Sequence, residues 1–364
     1  MPAPPRCSVV IPHLRGTRPL LACLHALFDS DPGLQVVLVD NASTDGSVEA
    51  ARRAFPGVEV VRAPRNLGYA GACNLGLEEV RAPWCIFLND DAVVAPGTLA
   101  ALIGRLETDP DAGGLILQPA LRSSSEPGRF DYAGGAGGLI DRWGYPFALG
   151  RLFDELEEDS GQYLREGPLA WASGCCMAGA ADCFVELGGF EEAFFAHFEE
   201  IDLCWRHRRM GGRVRSLPQA VVYHMGPSTL PEGAAKTRLN FRNSIWTLRR
   251  NLGAGRRAGA LAARLVLDAA AALRWLLTGR PGQAWSVLRG WAEGIFRRPW
   301  RRVEPGEGIR GPRPREGVYA GSAAAARWLR GVRAASELLP RTGGWEEGSG
   351  ASAVPAPPAG RGGS

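Results

Sequence analysis

The sequence predicts an α/β fold: a largely parallel sheet wrapped by helices, followed by a helical extension. Short apolar runs alternate with helical patterns from residue 7 to residue 88. Two of those runs end in clusters of polar and acidic residues. Near residue 236 the character changes, and arginine-flanked amphipathic stripes take over.

Cys7 to Ile11 (CSVVI) reads as a short buried strand, ended by Pro12. Pro19 to Ser30 reads as a helix with Leu20, Leu21, Leu24, Leu27 and Phe28 as its apolar positions. Gln35 to Val39 (QVVLV) is a second buried strand, and the polar turn Asp40 to Gly46 leads into a helix. Val58 to Arg62 is a third strand, Asn66 to Gly71 a glycine-containing turn, and Ala72 to Val80 a helix. Trp84 to Leu88 is a fourth strand, ending at Asn89-Asp90-Asp91. Strands and helices alternating at this spacing build a parallel sheet. Ligands bind such sheets at the carboxyl ends of the strands.

Residues 122–168, rich in Gly, Ser and acidic groups, read as loops and short strands over the site. The tight segment Ala172-Ser173-Gly174-Cys175-Cys176 precedes a helix and Gly188-Gly189. Glu199 to Met210 reads as a helix, and Val214 to Val222 as a return strand that delivers His224. Three parts follow: a body at 1–227, a basic amphipathic helical extension at 228–305, and a mostly disordered tail at 306–364 with one short helix near 321–338.

The 364 residues are enough for one large domain and an appendage, and the 45% hydrophobic content marks a globular body. The net charge of +4 hides an asymmetry, since residues 228–305 hold 15 Lys and Arg against 4 Asp and Glu. A basic, Trp-bearing segment beside an acidic body points to an anionic membrane surface as a partner. Its apolar stripes argue against nucleic acid. The eight cysteines include no CxxC pair and read as reduced, mostly buried thiols. Met1 to Arg6 shows no signal peptide pattern. The longest apolar stretch, Ala260 to Thr278, is broken by Arg264, Asp268 and Arg274 and is a poor membrane span. The expected location is cytoplasmic, peripheral on the inner face of the cell membrane.

Five clusters carry candidate chemistry. Asp40 and Asn41 end the second strand, where a carboxylate can accept a hydrogen bond from a pyrimidine N–H; the same residue types also cap helices. Asn66, Gly68 and Asn74 surround a helix start, where glycine allows close backbone approach and the N-terminus favours a diphosphate. Asn89, Asp90 and Asp91 gather oxygen ligands at a strand end, as Mg²⁺ or Mn²⁺ requires. Glu199, Glu200 and Asp202 open a helix behind the aromatic stretch Phe194 to Phe198, and one of them can take a proton from an acceptor hydroxyl. They also suit the helix dipole. His224 at its strand end is a metal or diphosphate contact, or a structural histidine. Pro12 and Gly174 complete the substrate-binding set.

Together, these stretches resemble family 2 glycosyltransferases, and among them the bacterial rhamnosyltransferase-like branch. Ser8 to Pro12, Val39 to Ser47, Asn66 to Gly71, Phe87 to Asp91, and Gly188-Gly189-Phe190 through Glu199 to Leu203 occur in the family's order and cover about residues 6 to 227. The resemblance implies a Rossmann-like domain of the GT-A type that binds a nucleotide-diphosphate sugar, linked to dTDP, UDP or GDP. It implies that Asp40 reads the base, that Asp91 holds Mg²⁺ or Mn²⁺ with Asn89 or Asp90 nearby, and that Glu200 is the base, with Asp202 the alternative. The acceptor would be a glycan or lipid-linked hydroxyl, and the reaction would invert the anomeric centre, as in cell-surface polysaccharide synthesis. His13 and Arg15 depart from the family, which often carries asparagines there. A sugar nucleotidyltransferase and a catalytically silent nucleotide-sugar-binding relative are the rival readings. A nicotinamide enzyme is disfavoured because no G-x-G-x-x-G follows the first strand.

Overall fold

The computed structural model describes residues 4–31, 33–226, 233–297 and 315–342. The chain opens with β1 (Cys7–His13), α1 (Thr17–Ser30), β2 (Gln35–Asp40), α2 (Ser47–Ala54), β3 (Glu59–Arg62), α3 (Gly68–Leu77) and β4 (Trp84–Leu88). It continues through β5 (Ala92–Val94), α4 (Thr98–Thr108) and β6 (Leu115–Ser123). Four short strands follow: β7 (Gly137–Asp141), β8 (Pro146–Leu149), β9 (Arg151–Leu152) and β10 (Glu155–Leu156). The body closes with β11 (Cys176–Ala180), α5 (Ala181–Glu186), α6 (Glu199–Arg209) and β12 (Arg213–His224). The extension is α7 (Ala234–Asn251), α8 (Ala254–Leu277) and α9 (Pro281–Phe296), followed by β13 (Val318–Tyr319) and α10 (Ala323–Leu329).

The main sheet has the order β3-β2-β1-β4-β11-β6-β12-β5. Strands β1 to β4 run parallel, and β12 runs parallel to β6. Strand β11 is antiparallel to both its neighbours, so the sheet is mixed. Strands β1, β2 and β4 are apolar on both sides because both faces of the sheet are covered. Val9 and Ile11 pack under α1, α2 and α4, while Val10 packs under α3. The alternation is that of a pleated strand. The fit against α3 is tight, since a Cβ at Gly76 would lie 2.4 Å from Val10. The parallel register sets His13 opposite Asp40 and so aligns the carboxyl ends of β1 and β2.

Several elements differ from expectation. Strand β1 runs past Pro12 to His13, since a proline can sit where its missing N–H is not needed. Helix α3 begins at Gly68 and not at Ala72, so the supposed glycine turn is its first turn. Residues 315–342 do not form a disordered stretch. Strand β13 adds to the edge of β7, and Tyr319, Ala323, Ala326 and Leu338 are buried against the small sheet. The Asp141 side chain accepts the Ala323 N–H at 2.9 Å and anchors this return. The remainder of the expected tail (306–314 and 343–364), parts of the expected extension (228–232 and 298–305) and residues 1–3 lie outside the described residues.

The extension is packed on the body. Ile245, Trp246 and Leu248 of α7 are buried, and Trp246 meets Phe194 edge-on at 5.9 Å. No described helix is long and apolar enough to cross a membrane. All eight cysteines are buried and free of disulfides.

Candidate functional site

A cavity of about 500 Å³ opens at the carboxyl ends of β1 and β4. Pro12, Asn41, Asn66, Gly68, Asn89, Asp90, Asp91, Gly174, Glu199, Glu200 and His224 all line it, although they span more than 200 positions of sequence. Asp40, Asn74 and Asp202 do not line it.

These three side chains hold structure instead. Asp40 Oδ1 accepts from the backbone N–H and hydroxyl of Ser43, at 2.8 and 2.7 Å, and so closes the turn after β2. Asn74 bonds both backbone groups of Phe190, at 2.9 and 2.8 Å, and ties α3 to the loop before α6. Asp202 is fully buried and accepts from Arg206, Arg250 and Asn251 at 2.9, 3.1 and 2.8 Å. These bonds tie α6 to α7 and leave the Asp202 carboxylate facing away from the cavity.

The α3 start also works differently than expected. The N–H groups of Tyr69 and Ala70 point to the Phe195 carbonyl, at 2.7 and 3.4 Å. They are not left over for a phosphate. Gly68 has φ +72°, and a Cβ there would sit 2.2 Å from the same carbonyl. Glycine is required here for backbone packing as well as for the cavity wall. Asn41 steadies this corner, accepting from Leu67 N–H at 2.7 Å and donating to the Gly68 carbonyl at 3.1 Å.

At the β4 end, two charge networks meet. Asp90 bonds His13 Nδ1 at 2.5 Å, and His13 Nε2 reaches the Ser47 hydroxyl at 2.6 Å. Burial raises the Asp90 carboxyl above the usual range, with His13 pulling it back down. His224 Nε2 lies 3.2 Å from Asp91, and its Nδ1 lies 3.0 Å from Asp131. Burial alone would lower the imidazole, but the two carboxylates push it up to about 10.

Glu199 and Glu200 begin α6 and line the same cavity. Each has a buried Oε2 without a hydrogen-bond partner among the described residues. Burial raises Glu200 to about 7. Burial and the charge of Glu200 raise Glu199 well above its ordinary value. A carboxyl tuned near neutral pH suits general base work.

Residues 8–127 match the profile described as Glycosyl transferase family 2. Over 212 residues the chain is 30% identical to the N-acetylglucosaminyl-diphospho-decaprenol L-rhamnosyltransferase of Mycobacterium tuberculosis, covering 52% of this chain and 66% of that protein. The chain belongs to the family 2 glycosyltransferases. A pre-mycofactocin glycosyltransferase of the same bacterium is 28% identical over 222 residues, covering 60% of this chain and 42% of that one. Among solved structures, GalNAc-T7 with UDP, GalNAc and Mn²⁺ superposes with a TM-score of 0.53 at 17% identity, over 69% of this chain and 48% of that one. The mannosyltransferase PcManGT of Pyrobaculum calidifontis with GDP-Man and Mn²⁺ gives 0.50 at 18% identity, over 81% and 88%. These likenesses establish the GT-A fold.

The cavity and its support also include residues that the sequence reading did not single out. Asp131, in a Gly- and acid-rich stretch, holds the far nitrogen of His224. Lys236, the single lysine of the chain, reaches the cavity wall with Nζ 5.8 Å from the Tyr132 ring. Its solitude in an Arg-only sequence was a signal. Asn243 of α7 donates to the carbonyls of Phe194, Ala196 and His197 at 3.0, 2.9 and 2.7 Å. No local pattern marks an asparagine inside an amphipathic helix as a clamp on a loop 46 residues earlier.

The donor set at β4 fits a divalent cation. Asp91 and His224 are adjacent oxygen and nitrogen donors, and Asp131 behind the imidazole is the partner a metal-binding histidine needs. Among the described residues no three His, Cys, Asp or Glu side chains form a ready ligand set. A cation here would take its remaining ligands from water or phosphate, as Mg²⁺ commonly does.

Proposed function

We propose that this chain is an inverting glycosyltransferase that moves a sugar from a dTDP-, UDP- or GDP-linked donor to a hydroxyl of a glycan or lipid-linked acceptor. The observation that carries the reading is Glu200: a carboxyl raised to about 7, with an unpaired buried oxygen, in one cavity with Asp91 and His224. The chain spans 66% of the rhamnosyltransferase relative, whose name gives it a lipid-linked diphosphate acceptor. An acceptor of that kind, a hexose or rhamnose as the sugar, and a role in cell-surface polysaccharide synthesis complete the proposal.

The chemistry needs one base and one stabilised leaving group. Glu200 takes the acceptor proton. The acceptor oxygen forms a bond to the anomeric carbon from the face opposite the donor oxygen. The bond to that oxygen breaks, and the nucleoside diphosphate leaves with the electron pair. Asp91 and His224 would hold Mg²⁺ or Mn²⁺, which supplies charge neutralisation for the diphosphate. Lys236 adds a cation at the same cavity. Tyr69 braces Gly174 in the wall through a hydrogen bond to its carbonyl at 2.6 Å.

The test is donor turnover with and without acceptor. Nucleoside diphosphate released only with acceptor supports transfer. Pyrophosphate release would favour a nucleotidyltransferase, and binding without turnover a silent relative. Asp91→Ala is expected to abolish turnover and to remove the metal dependence of nucleotide binding in calorimetry. Unchanged metal-dependent affinity would sink the Asp91 assignment.

A further inference from the structure

His13 ends β1 in the interior. It is 1% exposed, yet it borders the cavity beside Pro12 and Asp90. Both of its ring nitrogens are engaged. Nδ1 faces Asp90 Oδ2 after β4 at 2.5 Å, and Nε2 faces the Ser47 hydroxyl at the start of α2 at 2.6 Å. One imidazole thus joins the carboxyl ends of two paired strands to the first turn of a helix.

The hydrogens along this chain follow from a donor count. Asp45 accepts the Ser47 hydroxyl at 2.5 Å and the Gly16 N–H at 2.7 Å, and these bonds hold its carboxyl down at about 2. It is therefore an ionised acceptor. A hydroxyl has one hydrogen, and that of Ser47 goes to Asp45. Ser47 Oγ must then accept from His13 Nε2–H. Nδ1 is left for Asp90, and the hydrogen between them fixes Oδ2. The other carboxylate oxygen, Oδ1, accepts from no side chain among the described residues, and Asp90 lines the cavity. Asp90 turns toward β1. Asp91, the next residue, meets His224 of β12, which lies across β4 in the sheet order.

We infer that His13 is a positioning residue for the donor nucleotide: it fixes Asp90 so that Oδ1 accepts a hydroxyl of the nucleoside. The inference rests on the glycosyltransferase reading and adds to it a residue that acts through another. With the diphosphate beside Asp91 and His224, as proposed, the nucleoside half falls on the β1 and β2 side, where Asn41, Asn66 and Asp90 line the cavity. His13 has no ring nitrogen left for a ligand, so its effect passes through Asp90. An aspartate held in one rotamer before the ligand arrives loses less freedom on binding, and affinity gains accordingly.

The two bonds of the ring can be removed one at a time. An asparagine amide overlies the Nδ1 of a histidine and can still donate to Asp90. A glutamine amide overlies Nε2 and can still donate to Ser47. The experiment is calorimetry on the full chain with UDP, dTDP and GDP in Mn²⁺, using whichever nucleotide wild type binds, with thermal melts of the same samples. His13→Gln is expected to weaken the nucleotide tenfold or more while melting close to wild type. His13→Asn is expected to stay within threefold while melting lower. Ser47→Ala removes only the far bond and should behave as His13→Asn does, which covers a failure of that variant to fold. His13→Leu loses both bonds and covers the glutamine arm in the same way. The reverse order, with His13→Gln binding as wild type and His13→Asn weakly, would reduce His13 to a brace between β1 and α2 and overturn the inference. Equal affinity across the variants would overturn it too. A wild-type chain that binds none of the three nucleotides would instead overturn the glycosyltransferase reading beneath it.

Discussion

Glu199 and Glu200 are two carboxyls side by side with buried, unpaired oxygens, and desolvation makes their charged forms costly. Two consequences follow for Glu200. A base at Glu200, as proposed, works only when deprotonated, so kcat/KM is expected to rise with pH and level off above a midpoint near 7. In Glu200→Gln that limb disappears and turnover falls by roughly 10² to 10⁴, while donor affinity holds. The second consequence is opposite in sign. A folded-state value raised above the unfolded one stabilises the fold at low pH, and that contribution is lost as pH climbs from about 4.5 to about 7. Glu200→Gln is therefore expected to melt a few degrees higher than wild type at pH 8, and no higher at pH 4. A melting temperature unchanged at pH 8, with a flat activity profile in wild type, would remove Glu200 from the role. The acidic helix start was legible as residue types but not as a choice between Glu200 and Asp202. That choice depends on Arg206, Arg250 and Asn251, and two of these come from a helix some 48 residues on. Asp40 shows the same limit, since its turn role and a ligand role draw on one residue type.

At the scale of elements, the base is only as well placed as the loop before it. Phe195, His197 and Phe198 all have φ near +70°, a conformation that costs non-glycine residues of order 1 kcal/mol or more each. Asn243 holds this loop with three hydrogen bonds, and Arg242 adds one to the Phe194 carbonyl at 3.0 Å. Helix α7 thus buttresses the loop that leads to the proposed base. Asn243→Ala is expected to destabilise the chain by about 1–3 kcal/mol in denaturant melts, the cost of leaving buried carbonyls unpaired. It should also lower kcat more than it raises the donor KM. A variant with wild-type kcat would show that the loop holds its shape unaided. The strands β1 to β4 were legible because apolar runs bounded by turn residues are local signals. The start of α3 was not, because Gly68 to Gly71 looks like a turn until the Phe195 carbonyl is there to meet it.

At the scale of the molecule, the parallel half of the fold followed from alternation. The antiparallel insertion of β11, and the return of residues 315–342 to the small sheet, rest on contacts too distant in sequence to pattern locally. The extension divides between two surfaces. Its α7 face is buried on the body, as already described. The outer face of α8 and α9 is not. Val266, Leu273, Leu277, Trp285 and Phe296 stand out from it, with Leu277 79% and Phe296 86% exposed. On α8 the spacing of Val266, Leu273 and Leu277 keeps them on one side of the helix. Arg256, Arg274, Arg280, Arg289 and Arg297 are exposed on the same two helices and the turn between them. The carboxylates there, Asp268 and Glu293, are buried and paired inward to Arg264 and Arg238. An apolar face fringed by arginines, of which Arg274 lies 3.8 Å from Asp154 and Arg289 pairs with Glu293 at 3.2 Å, matches an anionic lipid surface, and the proposed lipid-linked acceptor would be presented at such a surface. Co-sedimentation is expected with phosphatidylglycerol vesicles and not with phosphatidylcholine vesicles, weakening as salt rises. At about 1 kcal/mol for each basic residue, Arg280→Ser with Arg289→Ser should cut binding by roughly tenfold or more. Leu277→Ser with Phe296→Ser should cut it further at high salt, where burial carries what attraction remains. No binding at low salt would sink the docking role, and a dimer in sedimentation velocity that is lost in the Leu277→Ser, Phe296→Ser variant would assign the face to a second copy.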